Sequence, residues 1–190
     1  MKEKVMFRMG NKVILRPILE EDLPKFFLWM NDPLVSKFLS NPFPLSFEQE
    51  KEWFQKYLKE PDKINLAIVD KETDNLIGSI GIHGINYKSG VGTTGTIIGN
   101  RDYWGKGYGT EAKMLFLEFI FHELNLRKIY SEVIGFNERS INYSFRCGYV
   151  KEVTLPMDLY KNGQYWDKII LAVYRESWEK LWQEFSKNLK

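Results

Sequence analysis

Apolar positions along the chain switch between helical and alternating spacing, and each switch marks a change of element. Val13-Ile14-Leu15-Arg16 is β-branched and apolar, stops at Pro17, and reads as a short strand. Between Glu20 and Met30 the residues Leu23, Phe26, Phe27 and Met30 fall at helical spacing, and Asn31-Asp32-Pro33 ends that helix. Ser46 is an N-cap for a second helix, with Phe47, Glu50, Trp53, Phe54, Tyr57 and Leu58 tracing one face. The connector before it, Asn41-Pro42-Phe43-Pro44, is stiff and reads either as a rigid loop or as the wall of a substrate groove. The period then drops to two, and residues 65–69, 76–82 and 93–98 read as an antiparallel meander. Helical spacing returns from Thr110 with Met114, Leu117, Phe121 and Leu124 in line. A strand over 128–133 and a short helix over Glu138–Arg146 follow. Strands over 149–160 and 165–173 come next, turned by Asn162-Gly163, and Trp178, Leu181, Trp182 and Phe185 mark a last helix.

This order predicts an α+β fold, a mixed α/β sandwich around a mostly antiparallel sheet of about seven strands flanked by helices. No repeat or low-complexity stretch interrupts the 190 residues, so a single domain over 1–190 is expected.

Composition removes several partners. Lys and Arg number 27 against 25 Asp and Glu, a net +2, which argues against a nucleic-acid partner that would need clustered cations. No apolar run approaches the ~18 residues of a spanning helix, and no apolar stretch follows Lys2 and Lys4, so neither a membrane partner nor a secretory signal is expected. A cytoplasmic setting suits one cysteine, Cys147, which reads as packing rather than a nucleophile. With His83 and His122 the only histidines, no metal site is expected.

The most informative segment is Trp104-Gly105-Lys106-Gly107-Tyr108-Gly109-Thr110, between a strand ending near Ile98 and a helix starting near Tyr108. Glycines at alternate positions turn successive N–H groups toward one point, and the helix N-terminus adds partial positive charge, so the loop is an anion site. Thr110-Glu111 after the last glycine disfavours a P-loop, and the preceding meander disfavours a dinucleotide fingerprint.

The loop resembles motif A of the GNAT superfamily of N-acetyltransferases, Arg/Gln-x-x-Gly-x-Gly/Ala, with Gly107 and Gly109 at the small positions and Trp104 where Arg or Gln is usual. Asn137-Glu138-Arg139-Ser140-Ile141-Asn142, running on to Arg146-Cys147-Gly148-Tyr149, resembles the family's Asn-x-x-Ser-Ile…Lys-x-Gly-Phe segment. Val13-Ile14-Leu15-Arg16-Pro17, Glu21-Asp22-Leu23, Trp29, Trp53, Ile77-Gly78 and Asn162-Gly163-Gln164-Tyr165-Trp166-Asp167 look like the Rim-type branch of ribosomal-protein N-terminal and spermidine acetyltransferases.

The resemblance implies transfer of an acetyl group from acetyl-CoA to a primary amine, with no metal, by direct attack in a ternary complex. The acceptor would be a protein N-terminus, a polyamine, an amino sugar or another small amine. Ile97, Ile98 and Gly99, the loop residues Trp104 to Thr110, and Asn137, Ser140, Asn142 and Arg146 would hold coenzyme A. Strand 94–98 would splay from strand 128–133, with the Ile98 N–H or a neighbour as oxyanion donor. The family's strand Glu has no counterpart in Thr93-Thr94-Gly95-Thr96. Its Tyr, in the family the acid toward the thiolate, aligns with Ser144, which could donate a hydrogen bond to sulfur directly or through water, while Tyr143, ~100° around the helix, is expected to face elsewhere. His83, Glu132 and Glu111 remain as bases. Each has a structural alternative: a surface histidine, a paired carboxylate, a dipole-favoured helix start. Glu48, Glu50 and Glu52 could attract a polyamine but read as a solvated face, and Trp53, Trp178 and Trp182 read as core. The aromatic hairpin from Tyr160 to Trp166 reads either as a homodimer surface or as the rim of the acceptor site. A non-catalytic coenzyme A sensor and a nucleotide-binding protein are the rival readings.

Overall fold

The computed structural model describes residues 5–39 and 44–189. The strands are β1 (Arg8–Met9), β2 (Val13–Pro17), β3 (Ile64–Asp70), β4 (Leu76–Asn86), β5 (Val91–Ile98), β6 (Lys128–Ile134), β7 (Val150–Lys161) and β8 (Gln164–Tyr174). They form one eight-stranded sheet in the order β1-β2-β3-β4-β5-β6-β8-β7, antiparallel except between β5 and β6. The eighth strand beyond the seven expected is β1, whose two residues are too few to carry a periodic signal.

The helices are α1 (Leu23–Asn31), α2 (Pro33–Ser36), α3 (Phe47–Tyr57), α4 (Tyr108–His122), α5 (Glu138–Arg146) and α6 (Arg175–Ser186). Asn31-Asp32-Pro33 does end α1, but it also starts α2: Asp32 accepts the Leu34 N–H, and Pro33 occupies the first helical turn, where a missing N–H costs nothing. Ser46 caps α3 as its sequence indicates. Its Oγ accepts the Gln49 N–H at 3.2 Å while Gln49 Oε1 accepts the Ser46 N–H at 2.8 Å, a reciprocal capping box.

Alternation along the strands sends residues to two cores. Leu66, Ile68, Ile80 and Ile82 face one side, where α4 lies with Met114, Phe116, Leu117 and Phe121 buried, together with Trp178 of α6. Ala67, Val69 and Leu76 face the other, packed by Phe26 of α1 and Phe54 of α3. The α4 helix is apolar on nearly every side because it is sandwiched between the sheet and α5 and α6. Of the stiff connector only Pro44 is described; Asn41, Pro42 and Phe43 lie outside the described residues. Among the described residues no helix is long and apolar enough to cross a membrane, and no cluster of His, Cys, Asp or Glu could hold a metal ion.

Candidate active site

The two parallel strands pair only through Val91–Lys128, Gly92–Ile129 and Thr93–Tyr130. Beyond Thr93 they part, and a cleft of about 710 Å³ opens between them and runs to both faces of the sheet. The pairing register decides which backbone groups reach it. Because the Gly99 N–H donates to the Ile77 carbonyl at 2.9 Å, Gly78 and Ile98 are a non-hydrogen-bonded pair. The N–H and C=O of Thr96 and Ile98 therefore face away from β4, toward the opening, whereas those of Ile97 are spent on Ser79. The Ile98 carbonyl accepts the Trp104 indole N–H at 2.6 Å, which anchors the start of the glycine loop to the end of β5.

On the α4 side of the cleft the chain is arranged for an anion. Gly105 and Gly107 have φ of 73° and 88°, in the left-handed region. A Cβ at Gly105 would meet nothing within 4 Å, and one at Gly107 only Lys12 Nζ at 3.6 Å. Gly107 is the N-cap of α4 and supplies no side chain, so the first-turn N–H groups are left for a ligand. Lys12 donates to the Lys106 carbonyl at 2.8 Å, and the Arg139 guanidinium lies 3.8 Å from the centre of the Trp104 ring. Arg139 and Arg146 both line this end. An open backbone cradle, a free strand edge and clustered cations fit the phosphates and amide arm of coenzyme A. Gly105, Gly107, Gly109, Thr110, Trp104, Ile97, Ile98, Asn137, Ser140 and Arg146 line the cleft, whereas Gly99, Lys106, Tyr108 and Asn142 do not. The Asn137 side chain caps α5, accepting the Ser140 N–H at 3.2 Å.

The opposite side of the cleft, under α1 and α3, is lined by Phe26, Trp29, Trp53, Glu50, Gly81, His83, Gly95 and Glu132. His83 lies inside its strand, because β4 runs past the expected end at residue 82 to Asn86, and the imidazole is exposed there. Glu132 is exposed too, with Lys168 at 3.9 Å. Glu111 is at neither end; its carboxylate accepts the Lys12 and Val13 N–H groups at 2.6 and 3.0 Å and ties β2 to α4.

Four expectations are corrected. Ser144 is fully buried, its Oγ has no partner among the described residues, and it does not line the cleft. Tyr143 does line it, because the row of α5 that faces the cleft runs Asn137, Ser140, Tyr143, Arg146 in steps of three. Burial pushes the Tyr143 phenol up, so it stays protonated. Glu50 is no part of a solvated face: it is 5% exposed, its carboxyl group has no ion pair or hydrogen bond among the described residues, and burial pushes it up. Its position in the row Phe47, Glu50, Trp53, Phe54, Tyr57 was the available signal, a carboxylate in an otherwise aromatic stripe. Trp53 is 41% exposed and borders the cleft rather than the core, while Trp178 is core. Cys147 is wholly buried with its thiol pushed up to about 12 by desolvation, which suits packing and not nucleophilic work.

Comparison with known proteins meets this geometry. Residues 12–150 match the family described as Acetyltransferase (GNAT) domain. The SPbeta prophage-derived uncharacterized N-acetyltransferase YokL of Bacillus subtilis is 30% identical over 176 residues, covering 92% of this chain and 97% of that protein. A spermidine N(1)-acetyltransferase of Vibrio cholerae is 28% identical over 161 residues, covering 84% and 91%. The crystal structure of spermidine N-acetyltransferase from Vibrio cholerae, in complex with CoA and spermine, has the same fold. Its TM-score is 0.83 at 24% identity, with 90% of this chain and 99% of that one covered.

Proposed function

The chain belongs to the GNAT family of acetyltransferases and is an acetyl-CoA-dependent N-acetyltransferase acting on an amine; from that premise we propose that its acceptor is a cationic amine held on the α3 side of the cleft by Glu50. Acetyl-CoA supplies the activated acetyl thioester. On this reading the glycine loop, the α4 N-terminus, Arg139 and Arg146 hold its phosphates, and the free edge of β5 holds its arm, with the Ile98 N–H and C=O along the arm and the Thr96 N–H, nearer the inner end, turned toward the reacting carbonyl. The amine approaches from the other face of the sheet and meets the thioester where the strands part. Holding both reactants in one cleft supplies about 7–11 kcal/mol of the barrier.

His83 is the proton acceptor in this proposal. It is exposed on the acceptor side of β4 with no side-chain partner among the described residues, whereas Glu132 has Lys168 beside it, and histidine is the side chain suited to exchanging protons near neutrality. Tyr143, protonated and on the cleft, takes the acid role that the family pattern assigns to the Ser144 position.

The observation that carries the acceptor assignment is the division of charge along the cleft. Arg139 and Arg146 line the α4 side, while Glu50, buried with no side-chain partner among the described residues, and Glu132 line the α3 side among Trp29, Trp53 and Phe26. A desolvated carboxylate is costly until a cation meets it, so the site favours an ammonium flanked by aromatic faces. The relatives named as spermidine acetyltransferases support the same class and the Rim-type branch. Thiol release from acetyl-CoA over a panel of mono-amines, polyamines, amino sugars and peptides tests it. Polycationic amines are expected to give the highest kcat/KM, and Glu50→Gln to raise acceptor KM by ~10-fold or more with coenzyme A affinity unchanged. Preference for acceptors with an acidic flank, or an unmoved KM in Glu50→Gln, sinks the proposal.

The reading extends to a cytoplasmic setting, to which the free buried Cys147 is suited, and to small-molecule or peptide acceptors rather than nucleic acid. It also includes a homodimer through the β7–β8 hairpin, where Met157, Tyr160 and Tyr165 are exposed; sedimentation velocity measures that directly.

A further inference from the structure

Lys113 is a charged group of the core that none of these roles uses. It is 0% exposed on α4, and its Nζ donates to Thr94 Oγ1 at 2.8 Å. The same hydroxyl lies 2.8 Å from the Tyr149 hydroxyl and donates to the Tyr130 carbonyl at 3.2 Å. The Tyr149 and Tyr143 rings are centred 5.5 and 5.9 Å from Nζ. The groups facing Lys113 are thus Thr94 from β5, the Tyr130 carbonyl from β6, Tyr143 from α5, Cys147 at the end of that helix and Tyr149 just before β7, with Arg146 acting on the Cys147 thiol. None is a carboxylate, and among the described residues no acidic side chain pairs with Lys113. Burial pushes its ammonium down to about 8 and keeps both tyrosines protonated. A buried cation without a counter-ion is destabilising, and a methionine would fill the same space without that cost.

Its place in the fold offers a reason to keep it. Thr94 is the first residue of β5 beyond the last β5–β6 pair, and both Thr94 and Tyr143 line the cleft. The ammonium therefore stands one side chain behind the wall at the inner end, where the strands part. We propose that Lys113 is an electrostatic positioning residue whose ammonium favours the anion that appears on sulfur when the thioester is cleaved at the inner end of the cleft. The proposal rests on the assignment of this cleft to acetyl-CoA. In the transfer the amine nitrogen bonds to the acetyl carbon, the C–S bond breaks, and its electron pair goes to sulfur. The amine's proton leaves to His83, the sulfur anion is then protonated by Tyr143, and Lys113 keeps its own. A cation in a low-dielectric wall acts on that charge through space, without contact.

Coenzyme A alone, in the binary complex, is the probe, and the ultraviolet absorbance of its thiolate is followed against pH. The bound thiol is expected to titrate about one unit lower in the unmodified protein than in Lys113→Met, a tenfold difference in thiolate fraction. Equal titration in the two complexes overturns the role of Lys113. Calorimetry separates this from the premise: no coenzyme A binding by the unmodified protein overturns the assignment of the cleft, whereas normal binding with an unmoved thiol overturns only Lys113. If Lys113→Met does not fold, the unmodified protein decides. With acceptor saturating, its kcat is expected to fall as pH rises through about 8, where Lys113 loses its proton. A kcat that stays level or keeps rising there overturns the proposal.

Discussion

Gly107 carries its function in one dihedral angle. At a φ of 88° a β-branched residue is strained by roughly 1–3 kcal/mol, yet the space around its missing Cβ is open, so the fold should survive the change better than the loop. Gly107→Val is expected to weaken coenzyme A binding by at least ~10-fold, read by calorimetry, with a far-ultraviolet spectrum like that of the unmodified protein. Asn137 is a different case, because its side chain is engaged as the cap of α5. Removing a cap costs ~1 kcal/mol, so Asn137→Ala should unfold at lower denaturant concentration while Asn137→Asp does not. The exchange of Ser144 for Tyr143 also belongs to this scale. A one-residue step on a helix turns a side chain by ~100°, and α5 is rotated so that the Ser140 and Tyr143 row meets the cleft.

Among the elements, β5 does most to divide the site. Alternation puts Thr94, Thr96 and Ile98 toward α4, and Thr93, Gly95 and Ile97 toward α1 and α3. A Cβ at Gly95 would meet nothing within 4 Å, so the strand is bare where the acceptor passes. Gly95→Val should therefore raise acceptor KM by ~10-fold or more while coenzyme A affinity holds, and steady-state kinetics beside calorimetry would tell the two apart. Parts of the elements were legible beforehand. The bounds of α5 and the cap of α3 follow from local signals, namely Asn137 before a periodic run and Ser46 three residues before Gln49. The extension of β4 through His83 to Asn86 was not, because Gly84 breaks the alternation while cross-strand bonds to β5 continue the strand.

For the molecule as a whole, the parting of one sheet lets ligands from opposite faces meet. That sheet is held at its far side by long-range pairs such as Lys128–Glu152 at 2.7 Å, which ties β6 to β7. The bond from Lys128, then that from Tyr174, holds Glu152 below the usual carboxylate range. Burial works against the Lys128 ammonium, but bonds to Glu152, Tyr174 and Tyr130 outweigh it and hold it above its ordinary value. A lowered carboxyl stabilises the fold above its unfolded pKa and loses that contribution as pH falls through the folded one; a raised ammonium loses its contribution only as pH climbs past its own. The pair should thus stabilise across the neutral range, and Glu152→Gln should lower stability at pH ~7 by on the order of 1 kcal/mol, with a smaller difference in acid, measured by urea unfolding. What the chain alone determined is what depends on neighbours in sequence: periods, caps, the Asn-Gly turn and the glycine loop at a helix start, which together point to an anion-binding α+β fold. What only the tertiary structure decided depends on groups far apart in the chain. Lys113 and Thr94 are 19 residues apart and Thr94 and Tyr149 are 55, and Glu50 is buried on α3, a helix that packs against α1 from an earlier part of the chain. Burial, and with it charge state and reactivity, is set by those packed neighbours, and a local pattern does not contain them.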